Sequence, residues 1–395
     1  MSELKKNDNF LLKEINDCGK FCTGCAACDN VCPVEAINMV PDALGFMEPS
    51  INNTLCIQCD MCRKTCPVLN EIQKGSEIIK CFAAQAEDEV RKESSSGGIF
   101  TLLAEEILKN GGVVFGATMG AECKVSHIKI ERSEDLKLLR KSKYVQSDTG
   151  ITFREVKKHL IVGKKVLYSG TPCQIAGLRA YLKQSNPNLF TCDLICEGVQ
   201  SNHFWKNYLT SMQHKYGSKV VDVQFRDKHK HGWERSDFVL QFENGQVYRQ
   251  TSHTKDSAYM NSFIFQGGNR DSCYECPFAS IPRQGDFTIG DLWGWRHIAP
   301  EWSDNKGSSV VICNTEKAAN MVSKMRNFAE IKATTIEEAS RENPNIKKCT
   351  QMPETREKYL EDMEHFSYDE LERKWLRPRS RLRKFVSRVK YILRR

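Results

Sequence analysis

Two runs near the start of the chain, CTGCAACDNVCP from Cys22 and CIQCDMCRKTCP from Cys56, share one spacing of four cysteines closed by a proline. In each, C-x2-C-x2-C-x3-C-P sets three thiols in a tight loop and displaces the fourth. The short spacers let three thiolates converge on neighbouring irons of one 4Fe-4S cubane, and the fourth reaches the cube held by the other loop. The spacing therefore predicts one cluster on Cys22, Cys25, Cys28 and Cys66, and a second on Cys56, Cys59, Cys62 and Cys32. Pro33 and Pro67 direct the chain away from each site. Zinc also binds paired C-x2-C, but it does not need four cysteines in so short a run, closed by proline, twice over. Cys18, Cys22 and Cys25 match the three-cysteine loop of radical enzymes that use S-adenosylmethionine. That chemistry requires an iron with no protein ligand, whereas Cys28 and Cys66 fill the place here, so Cys18 reads as a spare thiol.

This segment resembles the bacterial two-cluster ferredoxins. After Cys32 the apolar PVEAI reads as a return strand, while PVLNEIQKG after Cys66 turns polar and puts the module's end near Lys74-Gly75. The start, MSELKKNDNF, has no apolar stretch of signal-peptide type, and no apolar run reaches membrane-spanning length. A cytoplasmic, reducing setting is the expectation, and there eighteen cysteines are metal ligands or buried thiols rather than disulfides. At 395 residues the chain exceeds what one core usually organises. The expected division is 1–75 for the dicluster module, 76–160 and 161–345 for two parts of a body, 346–372 for a helical linker and 373–395 for a tail.

From Ile78 the pattern alternates strands with helices. IKCFAAQA and GGVVFGATM read as buried strands, and IFTLLAEEILKN has the i, i+3, i+4 apolar pattern of a helix. KKVLYSG followed by CQIAGLRAYLKQ is another strand, turn and helix; later come VVDVQF, DFVLQFENGQVYRQ with a hairpin expected at Asn244-Gly245, and DFTIGDLWG. The expected class is α+β: a ferredoxin-like module, then a mixed α/β body.

In KESSSGGIFTLLAEEIL, hydroxyl residues and two glycines immediately precede a helix, so free N–H groups and a positive dipole could meet a phosphate. A serine helix cap is the plainer reading of the same residues. No G-x-G-x-x-G fingerprint or Walker loop is present. SGTPCQIAGL puts Cys173 in a strand-to-helix turn, and TCDLICEGV and DSCYECPF bring Cys192, Cys196, Cys273 and Cys276. A C-x2-C pair with two distant cysteines suits a third cluster on Cys173, Cys196, Cys273 and Cys276, with Cys192 the rival for one place; a buried free thiol is the alternative for each. Cys81, Cys123, Cys313 and Cys349 read as structural.

Taken in order, the paired cysteine loops, SSSGG, KYVQSD, SGTPCQIAGL, CxxCPF and GDLWG resemble the coenzyme F420 hydrogenase/dehydrogenase beta-subunit family from about residue 20 to about residue 345. The resemblance implies FAD beside an iron–sulfur cluster. It implies that Ser95, Ser96, Gly97 and Gly98 form a flavin-phosphate loop, with Lys143, Tyr144, Gln146 and Ser147 a second flavin-side segment. It also implies that Gly170 and Thr171 lead into the turn of Cys173, and that Asp291 of GDLWG lies near the active site, where a buried carboxylate could move a proton. Coenzyme F420 as substrate is the least anchored of these implications, since no local pattern demands it.

Eleven Lys or Arg and no acid occupy 373–395; subtracting them from the net +8 leaves −3 for the rest. In that tail Leu382, Phe385, Val386, Val389 and Leu393 recur at helical spacing, as in a basic helix seated on an anionic membrane surface. A solvated tail and nucleic-acid contact are the rivals, the last weakened by the lack of a matching basic, aromatic groove in the body. The expected function is an iron–sulfur flavoprotein reductase that exchanges electrons between a redox protein such as ferredoxin, or a partner oxidoreductase, and a small-molecule substrate. An electron-transfer subunit without its own catalysis and a membrane-associated redox sensor are the other classes, and the protein would be cytoplasmic or peripheral on the inner face of a membrane.

Overall fold

The computed structural model describes residues 15–70, 80–252, 255 and 257–377. The expected module boundary at Lys74-Gly75 and tail residues 378–395 lie outside the described residues. The fold is α+β, with a ferredoxin-like module at the amino end.

Within that module, α1 (Ala27–Val31) and α2 (Met61–Thr65) start from matched left-handed residues, Ala26 at φ 60° and Asp60 at φ 61°. They end on matched extended cysteines, Cys32 at φ −64°, ψ 115° and Cys66 at φ −66°, ψ 118°. One spacing has thus produced one backbone twice, turning each fourth cysteine out of its own loop. Strands β1 (Ile37–Pro41) and β2 (Met47–Ile51) pair antiparallel, with Ile37 opposite Ile51. A return strand does follow Cys32, but PVEAI is not it: residues 33–36 form a turn and its exit, with Glu35 left-handed, and β1 begins only at Ile37; no described strand follows Cys66 within the module.

The body is built on an eight-stranded sheet of β3 (Lys80–Ala86), β4 (Val113–Met119), β5 (Val125–Ile130), β6 (Val166–Gly170), β7 (Leu189–Leu194), β11 (Phe287–Asp291), β12 (Ser309–Cys313) and β13 (Ala329–Thr334). Its order is β13-β3-β12-β11-β7-β6-β4-β5. The central strands β4, β6, β7 and β11 run parallel; β5 on one side and β12, β3 and β13 on the other are antiparallel to their neighbours. Both the 76–160 and the 161–345 stretches contribute strands to this one sheet. Period-two alternation splits its side chains between two cores. Phe82, Ala84, Val114, Leu167, Phe287 and Val311 face α3 (Ile99–Lys109), whose Leu102, Leu103, Ile107 and Leu108 are buried there. Each such large side chain contributes roughly 1.5–3 kcal/mol of burial. Near β4 and β6 on the opposite face, Val113, Phe115, Val166 and Tyr168 pack on Phe153, Val156 and Leu160 of α4 (Thr152–Ile161) and on Ile175 and Leu178 of α5 (Pro172–Leu182). Cys25 and Ala27 of the ferredoxin module belong to that same core.

A second sheet of β8 (Val220–Asp227), β9 (Asp237–Phe242) and β10 (Val247–Thr251) has the expected hairpin at Asn244-Gly245. It packs with α6 (Asn202–Tyr216) in an aromatic core that includes Trp205, Tyr208, Phe225, Phe238 and Tyr259. The carboxyl segment closes this core with Tyr359, Tyr368, Leu371 and Leu376. No described helix is long and apolar enough to cross a membrane.

Candidate functional site

Strands β6, β7 and β11 end at Gly170, Leu194 and Asp291, and the loops beyond them open a cavity of about 270 Å³. A crevice at the carboxyl edge of parallel strands is where α/β sheets place ligands. Ser95, Ser96 and Gly98 line it, as do Lys143, Tyr144, Ser147, Gly170, Thr171 and Asp291. Two expected residues lie elsewhere. A Cβ on Gly97 would lie 2.6 Å from Ala84 O and 2.7 Å from Ser309 N, so this glycine serves the close packing of the loop on the sheet. Gln146 turns away as well, and its Oε1 accepts from Met47 N at 3.1 Å, across the junction with the ferredoxin module.

The serine loop is held rather than free. Ser95 Oγ accepts from Ser142 N at 2.8 Å, Ser96 Oγ donates to Ser308 O at 2.8 Å, and Lys228 Nζ donates to Ser96 O and Arg91 O. Gly98 is left-handed, φ 84°, at the entry to α3, a conformation that suits glycine. No side chain caps this helix; Thr101 N donates back to Gly98 O at 3.1 Å, which leaves the opening N–H groups ahead of it for an anion. Lys143 Nζ, buried on the opposite wall, donates to Leu139 O and Arg140 O, and burial pulls its pKa down to about 7. An anionic ligand would restore its charge. His127, also on the wall, donates from Nε2 to Ser169 O at 3.0 Å and therefore accepts at Nδ1 from Ser147 Oγ at 2.8 Å; burial lowers its pKa to about 4.

Asp291 does not stand alone. Its Oδ2 pairs with the buried Arg226 guanidinium and its Oδ1 accepts from Trp233 Nε1 at 2.9 Å. Trp233 stacks on Trp293 with centroids 4.8 Å apart, and Arg226 lies over the Trp293 ring. Glu197 faces the same cavity, its carboxyl pushed up by burial and by Asp291, against the pull of Arg226. Arg226, Glu197 and His127 carry no local sequence signature, and Trp293 stands in GDLWG with no role expected of it; the sheet brings them together from separate stretches.

A smaller cavity lies behind the turn of Cys173 and is lined by Cys173, Cys196, Cys273 and Cys276. Cys192 is fully buried in β7, in the core beneath α3. Thr171 Oγ1 lies 3.1 Å from Cys173 Sγ, and Gly198 N donates to Cys196 Sγ at 3.4 Å. A third cavity is lined by Cys22, Cys25, Cys28 and Cys66, and also by Cys18, whose Sγ is 3.7 Å from Cys66 Sγ. Cys18, the expected spare thiol, is thus a close neighbour of a ligand candidate. Among the described residues no three His, Cys, Asp or Glu side chains converge as a single metal ion needs. A cubane, with irons at separate corners, asks for thiols distributed around a void, which is how both sets of four stand. Burial raises the pKa of Cys25, Cys28, Cys173, Cys196 and Cys276, and takes Cys273 to about 12. Bare thiolates would be costly here, a cost that a bound cation would offset. The other ferredoxin set is more open, with Cys59 exposed and Cys32, Cys56 and Cys62 half-buried.

The three cavities adjoin. Thr23 and Gly24 line both the first ferredoxin cavity and the body cysteine cavity. Thr171, Gln174, Cys196, Gly198 and Val199 line both the body cysteine cavity and the large one. Cys81, Cys123 and Cys313 are buried away from them, and half-buried Cys349 donates its thiol to Tyr274 O.

Sequence comparison matches residues 81–150 to the family described as coenzyme F420 hydrogenase/dehydrogenase, beta subunit N-term, and residues 163–339 to its C terminus. Residues 21–70 match the 4Fe-4S dicluster domain. One subunit of the F(420)H(2) dehydrogenase of Methanosarcina mazei is 22% identical over 293 residues, 70% of this chain and 78% of that one. Coenzyme F420-dependent sulfite reductase of Methanocaldococcus jannaschii is 31% identical over 175 residues, 42% of this chain and 26% of that protein. A chain of the F420-reducing NiFe hydrogenase complex from Methanosarcina barkeri superposes with a TM-score of 0.47 at 18% identity, covering 75% of this chain and 91% of that one.

Proposed function

The chain belongs to the coenzyme F420 hydrogenase/dehydrogenase beta-subunit family and carries a 4Fe-4S dicluster domain; from that premise we propose that it is an iron–sulfur flavoprotein oxidoreductase. It exchanges electrons between a low-potential carrier, ferredoxin or reduced F420, and a two-electron substrate, within a complex that includes a partner oxidoreductase. The observation that carries this reading is the continuity of the three cavities through shared walls.

Two clusters sit on the ferredoxin cysteines in the crossed arrangement, and a third on Cys173, Cys196, Cys273 and Cys276. FAD occupies the large cavity and, when bound, supplies the junction between one-electron and two-electron chemistry. The chain's own groups hold it there. Gly98 and the start of α3 would hold its pyrophosphate with N–H groups, Lys143 would supply a charge, and Tyr144 would offer an aromatic wall. Arg226 and Asp291 keep a fixed ion pair on the wall, where Asp291 can orient a substrate.

Anaerobic purification with iron and flavin quantification tests the proposal. Roughly twelve irons and one FAD per chain are expected on a four-iron cubane count, and iron without flavin would leave only a cluster-bearing relay. Lys143→Met should weaken FAD retention by about tenfold, the loss of one charge-assisted contact; unchanged retention would take Lys143 out of the site. Rapid mixing with reduced F420 or reduced ferredoxin then identifies the carrier by which one bleaches the flavin band.

A further inference from the structure

Arg270 joins the ferredoxin module to the body, as Gln146 and Arg154 do, but its position does more than join them. It precedes Cys273 by three residues and its side chain is only 4% exposed. Nε donates to Cys22 O at 2.6 Å, Nη1 donates to Met47 O at 3.0 Å, and Nη2 pairs with Glu48 at 3.1 Å. Phe46 lies under the guanidinium at 5.6 Å. The chain thus buries a permanent cation at the wall between two sets of cysteine sulfurs. The Arg270 side chain is fixed to Cys22 of one set, and its backbone to the other: Cys273 N donates to Arg270 O at 3.0 Å, and Arg270 N donates to Val199 O at 3.1 Å on the wall of the body cysteine cavity. Beside it, the Thr23 hydroxyl is buried without a hydrogen-bond partner and lines both cavities. The open ferredoxin set has its own, more exposed arginine: Arg154, 23% exposed and paired with Glu35, donates to Cys32 O at 3.3 Å, and Ile57, which takes the place that Thr23 has in the repeat, is 61% exposed.

Reducing a cubane adds negative charge, so burial alone disfavours the reduced form and a fixed nearby cation favours it. We propose that Arg270 is the electrostatic bridge of the electron path: one guanidinium, fixed to both modules, that holds up the reduction potentials of the inner ferredoxin cluster and the body cluster together. Arg270 is a positioning residue. It touches backbone rather than sulfur, and it acts through charge and through the fixed separation of the two sites. The inference rests on the reading that both sites hold clusters.

The test uses the full chain with its clusters loaded, read by redox titration with electron paramagnetic resonance. Arg270→Gln should shift two of the three midpoints downward and leave that of the open ferredoxin cluster in place, while Arg270→Lys should return both toward wild type. Glu48→Gln, which removes the countercharge and keeps the bonds to Cys22 O and Met47 O, should shift the inner ferredoxin midpoint upward. With full iron content, unmoved midpoints or an equal shift of all three in Arg270→Gln overturns the proposal. Should that variant lose iron, an unmoved midpoint in Glu48→Gln overturns it instead. Wild-type protein with fewer than roughly twelve irons would defeat the three-cluster reading rather than the role of Arg270.

Discussion

Gly24 shows how much can depend on one missing side chain. Its φ is +65°, and a Cβ there would lie 2.7 Å from Met47 O and 3.2 Å from Arg270 Nη1. Gly24→Ala therefore meets both left-handed strain, about 1–2 kcal/mol, and backbone that cannot yield; a loss of about 2–4 kcal/mol is expected, read as a lowered Tm with parallel loss of iron. His127 gives a pH prediction. Its native pKa, about 4, lies below the ordinary value of 6.5, so the unfolded chain binds the extra proton first. The stability it contributes is present above pH 6.5 and lost as pH falls toward 4, on the order of 3 kcal/mol over that window. Denaturant midpoints measured across it should fall less steeply in His127→Gln, whose amide cannot titrate. At this scale the sequence is legible where spacing carries the chemistry, as in the cysteines, and illegible where contact is distant. Gln146 reads as part of a cofactor segment because its neighbours 143, 144 and 147 are. Its side chain instead reaches the ferredoxin junction, where its Oε1 accepts from Met47 N, a partner 99 residues away that no local pattern announces. Arg226 and Arg270 give no signal, since an arginine acquires its meaning only from what folding places beside it.

The helices that matter most for the site are short or closely approached ones. Gly177 in α5 lets α1 come so near that a Cβ would lie 2.9 Å from Cys25 Sγ. Arg154 of α4 fastens the same helix from the other side, donating to Asn30 O at 2.8 Å and Asp29 O at 3.0 Å. Gly177→Val should push α1 outward at a cost of about 1–3 kcal/mol, seen as faster iron loss on dialysis; iron retention equal to wild type would show that α1 has room to move. Long elements such as α3 and β4 are plain in the apolar pattern because period and length agree. The five-residue helices are not, because they are held by cysteine geometry and left-handed entry residues rather than by an amphipathic face. The serine loop is ambiguous between cap and phosphate grip in the sequence alone. With no side chain capping α3, the structure leaves the N–H groups ahead of Thr101 open.

For the molecule as a whole, the division of cores predicts how it fails. The ferredoxin core consists largely of its own cysteines, with Ile37, Met39, Ile51 and Val68 around them, while the cores beneath α3 and around Trp233 contain no residue before Cys81. Stripping iron with a chelator should therefore release hydrogen-exchange protection in 15–70 while β3, β6, β7, β11 and β12 stay protected, because metal binding supplies the folding free energy of so small a core. Simultaneous loss of both would mean that the modules form one cooperative unit. The interleaving of the large sheet has a temporal consequence too. Strand β3 pairs on one side with β12 and on the other with β13, neither of which leaves the ribosome until roughly 220 residues later, so both its edges stay unsatisfied through most of synthesis. The cysteine module ahead of it has no such wait, and a nascent chain can acquire its first metal while the rest is still searching for partners.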